Sequence, residues 1–179
     1  MLSEIGWYAR YPTVLRTARL LSRQRLVELR PKRLLTLCYG NIYRSPFAQH
    51  LLTRSLGREG FESRSAGFHP ETGRRSPEHF VELAAGLGID LSAHRSTVIT
   101  SELLDWADIV FIMDRRNWRL LHRMRPIALD HVAWLASFEG GASVEILDPY
   151  GKEPQVIEEI ARGIVRCVDG LSAALRTQR

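Results

Sequence analysis

Arg33-Leu34-Leu35-Thr36-Leu37-Cys38-Tyr39-Gly40-Asn41-Ile42-Tyr43-Arg44-Ser45-Pro46 is the stretch on which the fold turns. Residues 33–38 form an apolar run of strand length ending in a thiol. Residues 45–56 place Phe47, Ala48, Leu51, Leu52 and Leu56 at helical spacing, and Ser45-Pro46 has the chemistry of a helix start. A strand, a tight loop and a helix are therefore predicted to meet at Cys38. Gly40 and Asn41 tolerate the positive φ that such a loop demands. The backbone N–H groups of Tyr39, Gly40, Asn41, Ile42 and Tyr43 can turn inward as an anion-binding nest, to which the following helix start adds partial positive charge.

Phosphate oxygens suit that nest. Its field, together with the Arg44 guanidinium, would favour the thiolate of Cys38, an in-line nucleophile, while the planar fork of Arg44 can bridge two phosphoryl oxygens. Spacing alone leaves another reading open. With 25 basic residues, all but two of them arginine, a cysteine six positions before an arginine arises easily by chance, and Cys38 could be a buried strand-end thiol. Phosphoryl transfer to a thiolate also needs an acid for the leaving oxygen. Asp148, held before Pro149 in a loop, is the candidate, against the alternative of an ordinary Asp-Pro turn.

Outward from this centre, short apolar runs alternate with helical patterns, which predicts an α/β fold. Further strands are predicted near residues 60–66, at 107–113 and at 127–129. Helices are predicted at 77–87, with Ser76 as N-cap, after Asp114 as a cap, and from residue 153 onward, where Val156, Ile157, Ile160, Ile164, Val168 and Leu171 line one face. Helices on both faces of a small parallel sheet would put a ligand site beyond the carboxyl ends of the strands, where Cys38 falls.

The 179 residues fit one domain, with 45% hydrophobic and 25% charged residues. No apolar run approaches the roughly 18 residues needed to span a bilayer, and arginines interrupt every candidate secretory segment, so a cytoplasmic location is expected. Two cysteines, Cys38 and Cys167, support neither a disulfide framework nor a four-cysteine zinc site. The net charge of +5 suits an anionic partner, but no aromatic-basic module points to nucleic acid. The six histidines, at 50, 69, 79, 94, 122 and 131, show no metal-ligand spacing, and His94 could shape the rim of the site.

Taken together, Cys38 to Pro46, Ser65-Ala66-Gly67, residues 107–114 and Asp148-Pro149-Tyr150 resemble, in this order, the low-molecular-weight protein tyrosine phosphatase family over residues 33–175. The resemblance implies a three-layer fold with a four-stranded parallel sheet in flavodoxin-like order. It implies hydrolysis of phosphotyrosine through a phosphocysteine, with Cys38 as nucleophile, Arg44 as clamp and Asp148 as general acid and base, without metal or cofactor. Ser45 would donate to the thiolate, Asn41 would hold the loop with help from Ser65, Tyr150 would wall an aromatic slot, and Phe68 would lie where the family places a substrate-contacting loop. The partner would be a tyrosine-phosphorylated protein. The stretch at residues 88–96 looks like bacterial members, some of which act on tyrosine kinases of polysaccharide export.

Two features depart from the pattern. Many relatives carry a second cysteine where this chain has Tyr43, and Cys167 reads as a core residue of the last helix. Residues 1–30 extend before the family domain, which would cover residues 31–179. In this basic extension Val14, Leu15, Ala18 and Leu21 could form an apolar face, with Arg16, Arg19, Arg23 and Arg30 largely on another. Packing on the domain is the favoured expectation, and a membrane-surface or partner helix is the alternative. Rival functions are a catalytically inactive phosphate-binding module and an arsenate reductase, the latter disfavoured because its two relay cysteines are missing between residues 80 and 100.

Overall fold

The computed structural model describes residues 4–125, 130–141 and 143–178, with side chains from Thr17 onward. Strands β1 (Arg33–Cys38), β2 (Glu62–Gly67), β3 (Ile109–Ile112) and β4 (Val132–Trp134) form one sheet in the order β2-β1-β3-β4, and every pairing is parallel. This is the flavodoxin-like order expected. The fourth strand is Val132–Trp134; the predicted position at residues 127–129 lies outside the described residues. The connecting helices are α1 (Glu4–Leu29), α2 (Arg44–Leu56), α3 (Glu78–Gly86), α4 (Ser101–Trp106), α5 (Arg115–Met124) and α6 (Pro154–Arg176).

Because side chains alternate along a strand, β1 feeds two apolar layers. Leu34 and Cys38 face one layer with Phe47, Leu51 and Leu52 of α2 and Ile157, Ile164 and Leu171 of α6. Leu35 and Leu37 face the other with Leu104 of α4 and Leu121 of α5. Gly170 lets α6 lie close to the 3-10 turn Leu135–Phe138: a Cβ there would come within 2.1 Å of the Phe138 carbonyl oxygen. Cys167 is fully buried in the first layer, as expected of a core residue.

Helix ends follow local chemistry in two cases and not in a third. Asp114 caps α5 by accepting from Asn117 N at 2.8 Å, and Thr100 caps α4 by accepting from Leu103 N at 3.3 Å. Ser76, expected to cap α3, does not: α3 starts at Glu78, and Pro77 occupies the cap position without a side-chain bond. Proline's fixed φ sets the entry angle itself.

Helix α1 lies along β4 at the sheet edge. Ser22 Oγ accepts from Trp134 N at 3.0 Å, and Arg25 Nη1 donates to the Val132 carbonyl, so the free edge of β4 finds partners on the helix. Leu26 enters one apolar layer and Ala18 the other. Of the predicted face, Ala18 is buried as expected, the side chains of Val14, Leu15 and Arg16 lie outside the described residues, and the rest differs. Leu21 is 39% exposed, and Arg19 and Arg23, expected to point away, donate to the carbonyls of Ser143 and Ser137 at 3.2 Å each. The helix meets unpaired backbone as well as apolar surface, so donors and acceptors belong on its contact face. None of the described helices is long and apolar enough to cross a membrane.

Candidate active site

The site sits where β1 ends. Thr36 Oγ1 donates to Ser45 O at 2.9 Å, tying the strand to the first turn of α2 and closing the loop between them. Within the loop the positive φ falls on Asn41 (49°) and not on Gly40. Asn41 is fully buried, and each of its polar groups is used. Its Nδ2 donates to Ser45 Oγ at 2.9 Å, its Oδ1 accepts from Thr97 N at 2.8 Å, its O lies 2.8 Å from His94 Nε2, and its N–H points at Cys38 Sγ at 3.2 Å. A left-handed residue held by four contacts fixes the loop shape.

Gly67 makes that packing fit. A Cβ at this position would stand 2.8 Å from Tyr39 O and 2.9 Å from Asn41 N, both backbone atoms that cannot step aside. Its own backbone bridges to residues 97–99, through Gly67 N to Thr97 O at 2.9 Å and Ile99 N to Gly67 O at 2.8 Å, which brings Thr97 to Asn41. Ser65 does not give Asn41 the expected help. On β2 its side chain turns toward α2, where Oγ donates to Gln49 Oε1 at 2.8 Å, and Thr97 and His94 hold Asn41 instead.

Cys38 Sγ is buried with Ser45 Oγ at 3.0 Å. Because Asn41 Nδ2 donates into Ser45 Oγ, the hydroxyl proton is left for Sγ or for Ala66 O, which is farther at 3.3 Å. Donors from Asn41 N and Ser45 Oγ suit an anionic sulfur. Arg44 is 1% exposed. Its Nη1 donates to Asp114 Oδ2 at 2.6 Å and to Ile146 O at 2.8 Å, and its Nη2 lies 2.8 Å from Asp148 Oδ2. Its Nε is buried and has no hydrogen-bond partner among the described residues, so one donor of the guanidinium is unsatisfied. Asp114 thus both caps α5 and orients Arg44, a second role that its sequence position does not reveal.

A cavity of about 350 Å³ opens over Cys38 and Arg44, walled by Ile42, Tyr43, Asp148 and Tyr150. Asp148 Oδ1 accepts from Tyr150 N at 3.3 Å, and Tyr150, which also lines the cavity, is 75% exposed. Tyr43 is buried beneath, its ring 4.9 Å from that of Phe80 and its OH 3.1 Å from His79 Nε2. Burial pushes the Tyr43 phenol up, and the nearby Tyr150 and Asp148 add to the effect. Phe68 does not line the cavity: it packs against the apolar layer of Leu35 and Leu37, and His69 takes the wall position after Gly67. Also on the wall, and absent from the sequence-based expectations, are Arg74 and Arg116. Among the described residues no group of three or more His, Cys, Asp or Glu side chains is placed to hold a metal ion. A second cavity of about 550 Å³ between α1 and α6, lined by Leu26, Phe138 and Ala174 among others, has no thiol or carboxylate among its described lining residues.

Residues 33–179 match the model of the family described as low molecular weight phosphotyrosine protein phosphatase. The chain is 35% identical, over 81% of its own length and 97% of the relative's, to a probable low molecular weight protein-tyrosine-phosphatase EpsP of Ralstonia nicotianae. Among solved structures it resembles the YwlE arginine phosphatase from Geobacillus stearothermophilus at 31% identity with a TM-score of 0.75, covering 82% of this chain and 94% of that one. It also resembles the low molecular weight protein tyrosine phosphatase from T. tengcongensis, at 30% identity and a TM-score of 0.70, over 78% and 96% of the two chains.

Proposed function

Since the chain belongs to the low molecular weight phosphotyrosine protein phosphatase family, we propose that it hydrolyses phosphotyrosine in a protein substrate through a phosphocysteine on Cys38. The carrying observation is the convergence on one cavity of Cys38 Sγ and the unpartnered Nε of Arg44, both from the buried loop after β1, with the half-buried Asp148 carboxyl, which comes from a separate segment and sits on Nη2 of the same guanidinium. Phosphate oxygens would take the Nε and Nη2 edge of Arg44, where planar, charge-assisted bonds strengthen as charge builds in the transition state. Sγ attacks phosphorus in line, and the phenolic oxygen departs with the proton of Asp148. The carboxylate then takes a proton from the water that attacks the phosphocysteine, releasing inorganic phosphate and the thiolate.

Ile42 and Tyr150 support the aryl part of this reading, because they give the cavity an apolar face and an aromatic one for a phenyl ring. The proposed partner is a tyrosine-phosphorylated protein, with a bacterial tyrosine kinase as one candidate, and the proposed setting is the cytoplasm, where a nucleophilic thiol stays reduced. A second reading, phosphoarginine hydrolysis, is favoured by the 31% identity to the Geobacillus arginine phosphatase.

Matched peptides bearing phosphotyrosine or phosphoarginine separate the two. The expected result is a higher kcat/KM on phosphotyrosine and a fall on the order of 10⁴-fold or more in Cys38→Ser, since an alcohol there is barely ionised. Greater activity on phosphoarginine would transfer the assignment to the second reading. No turnover of either peptide or of 4-nitrophenyl phosphate would leave a phosphate-binding module.

A further inference from the structure

Two cations on the cavity wall have no part in the chemistry just described. Arg74 is anchored as a rigid arm: its N–H donates to Ser96 Oγ at 3.0 Å, its carbonyl accepts from Ser96 N at 2.8 Å, and its Nη2 donates to Gly40 O at 2.5 Å. Arg116, the second residue of α5, lays its guanidinium over the Tyr39 ring, 3.5 Å from the centroid, while His69 meets the same ring edge-on at 5.8 Å. Tyr39 is fixed in turn, its carbonyl accepting from both Phe68 N and His69 N at 2.9 Å. Neither guanidinium has a carboxylate partner among the described residues, although arginines elsewhere on this surface pair with Asp105, Glu139 and Glu59. Both line the same cavity as Cys38.

Stacking and backbone anchoring orient the two guanidinium groups without neutralising them, which is the arrangement that recognises an anion. Arg44 already serves the transferred phosphoryl group from beneath. Positive charge in addition to Arg44, at the wall rather than at the base of the cavity, is surplus for a substrate with a single phosphate.

We propose that Arg74 and Arg116 form a second anion subsite at the mouth of the Cys38 cavity, selecting phosphotyrosine that carries another anionic group beside it in the chain. The proposal rests on the phosphatase reading and narrows its substrate class. A carboxylate or a neighbouring phosphotyrosine would supply the same chemistry.

The test compares kcat/KM on three phosphotyrosine peptides: one with neutral flanks, one flanked by glutamate, and one flanked by phosphonomethyl-phenylalanine, which mimics a second phosphotyrosine but cannot be hydrolysed. The wild type is expected to prefer an anionic flank by roughly fivefold or more, a preference that falls with added salt and is lost in Arg116→Gln and Arg74→Gln. Because each comparison is a ratio within one variant, a general loss of activity in Arg74→Gln through its bond to Gly40 does not mimic the effect. Preference for both anionic peptides, or for either alone, supports the subsite and names the source of the anion. Equal rates on all three peptides, or a preference that survives both substitutions, overturns it while 4-nitrophenyl phosphate turnover leaves the phosphatase reading standing. If the wild type hydrolyses no aryl phosphate, both readings fall.

Discussion

Arg44 Nη2 and Asp148 Oδ2 stand 2.8 Å apart, so the proposed clamp and the proposed acid are paired directly to each other. An incoming phosphate must compete with this carboxylate for the guanidinium.

Asp148→Asn therefore has two expected effects of opposite sign. Loss of the acid should lower kcat by about 10²- to 10⁴-fold on aryl phosphates with poor leaving groups, and less on good ones that depart without protonation. Loss of the competing charge should tighten binding of inorganic phosphate by a few-fold. A leaving-group series and calorimetric phosphate titration report the two separately. If the variant turns over poor and good leaving groups as fast as the wild type, Asp148 is not the acid.

The second thiol should be inert. Burial, with the Glu139 carboxylate 3.5 Å away, pushes Cys167 up to about 12, so almost no thiolate exists there near neutral pH. Iodoacetamide on the native protein is expected to modify Cys38 alone. Tyr43 also removes the neighbouring thiol that could trap an oxidised Cys38 as a disulfide, so peroxide should drive Cys38 to sulfinic and sulfonic acids. Intact-mass and peptide mapping decide the matter; a Cys38–Cys167 disulfide as the main product would refute it.

What could be read from the chain alone was what is contiguous. The strand, loop and helix from Arg33 to Leu56 carry their own periodicity and turn chemistry, and Asp114 caps the helix that directly follows it. The partners of Asn41 could not be read, because Thr97 and His94 arrive from more than 50 positions away through a backbone bridge to Gly67. Arg74, Arg116 and His69 are likewise brought to the cavity only by the fold. Strand β4 is three residues long, too short for alternation to register, and an apolar stripe does not mark the contact face of α1, because that face meets a sheet edge that calls for Ser22 and Arg25.

His94 should make the loop sensitive to acid. Burial holds its imidazole below the ordinary 6.5, with His50 and Arg95 acting in the same direction and the bond to Asn41 O opposing. The unfolded chain then binds more protons than the folded one as pH drops below 6.5, so the stability contributed by neutral His94 is fully present above that value and is lost on acidification. His94→Gln keeps a donor for Asn41 O but does not titrate. Denaturant midpoints at pH 7.5 and pH 5 should therefore show the gap between wild type and variant closing or reversing in acid. A gap that is constant or widens would exclude this role.

Helix α1 should matter for stability and not for chemistry, because every side chain proposed to act lies beyond residue 30. Leu26 is 1% exposed, and its truncation in Leu26→Ala should cost about 2–5 kcal/mol. Ser22→Val removes the acceptor of Trp134 N at a buried position, and an unpaired buried N–H costs about 1–3 kcal/mol. Deleting residues 1–30 removes both contributions, but it also opens the β4 edge to water, which can satisfy Trp134 N. The lost apolar burial should then dominate, and the newly bare edge should promote association between chains. Expected outcomes are a lower Tm for all three proteins, retained turnover of 4-nitrophenyl phosphate per folded molecule, and a rise in light scattering confined to the deletion. An unchanged Tm in Leu26→Ala and in the deletion would refute the packing role. Loss of turnover in a deleted chain that stays folded would place part of α1 in the active site and move the domain boundary proposed at residue 31.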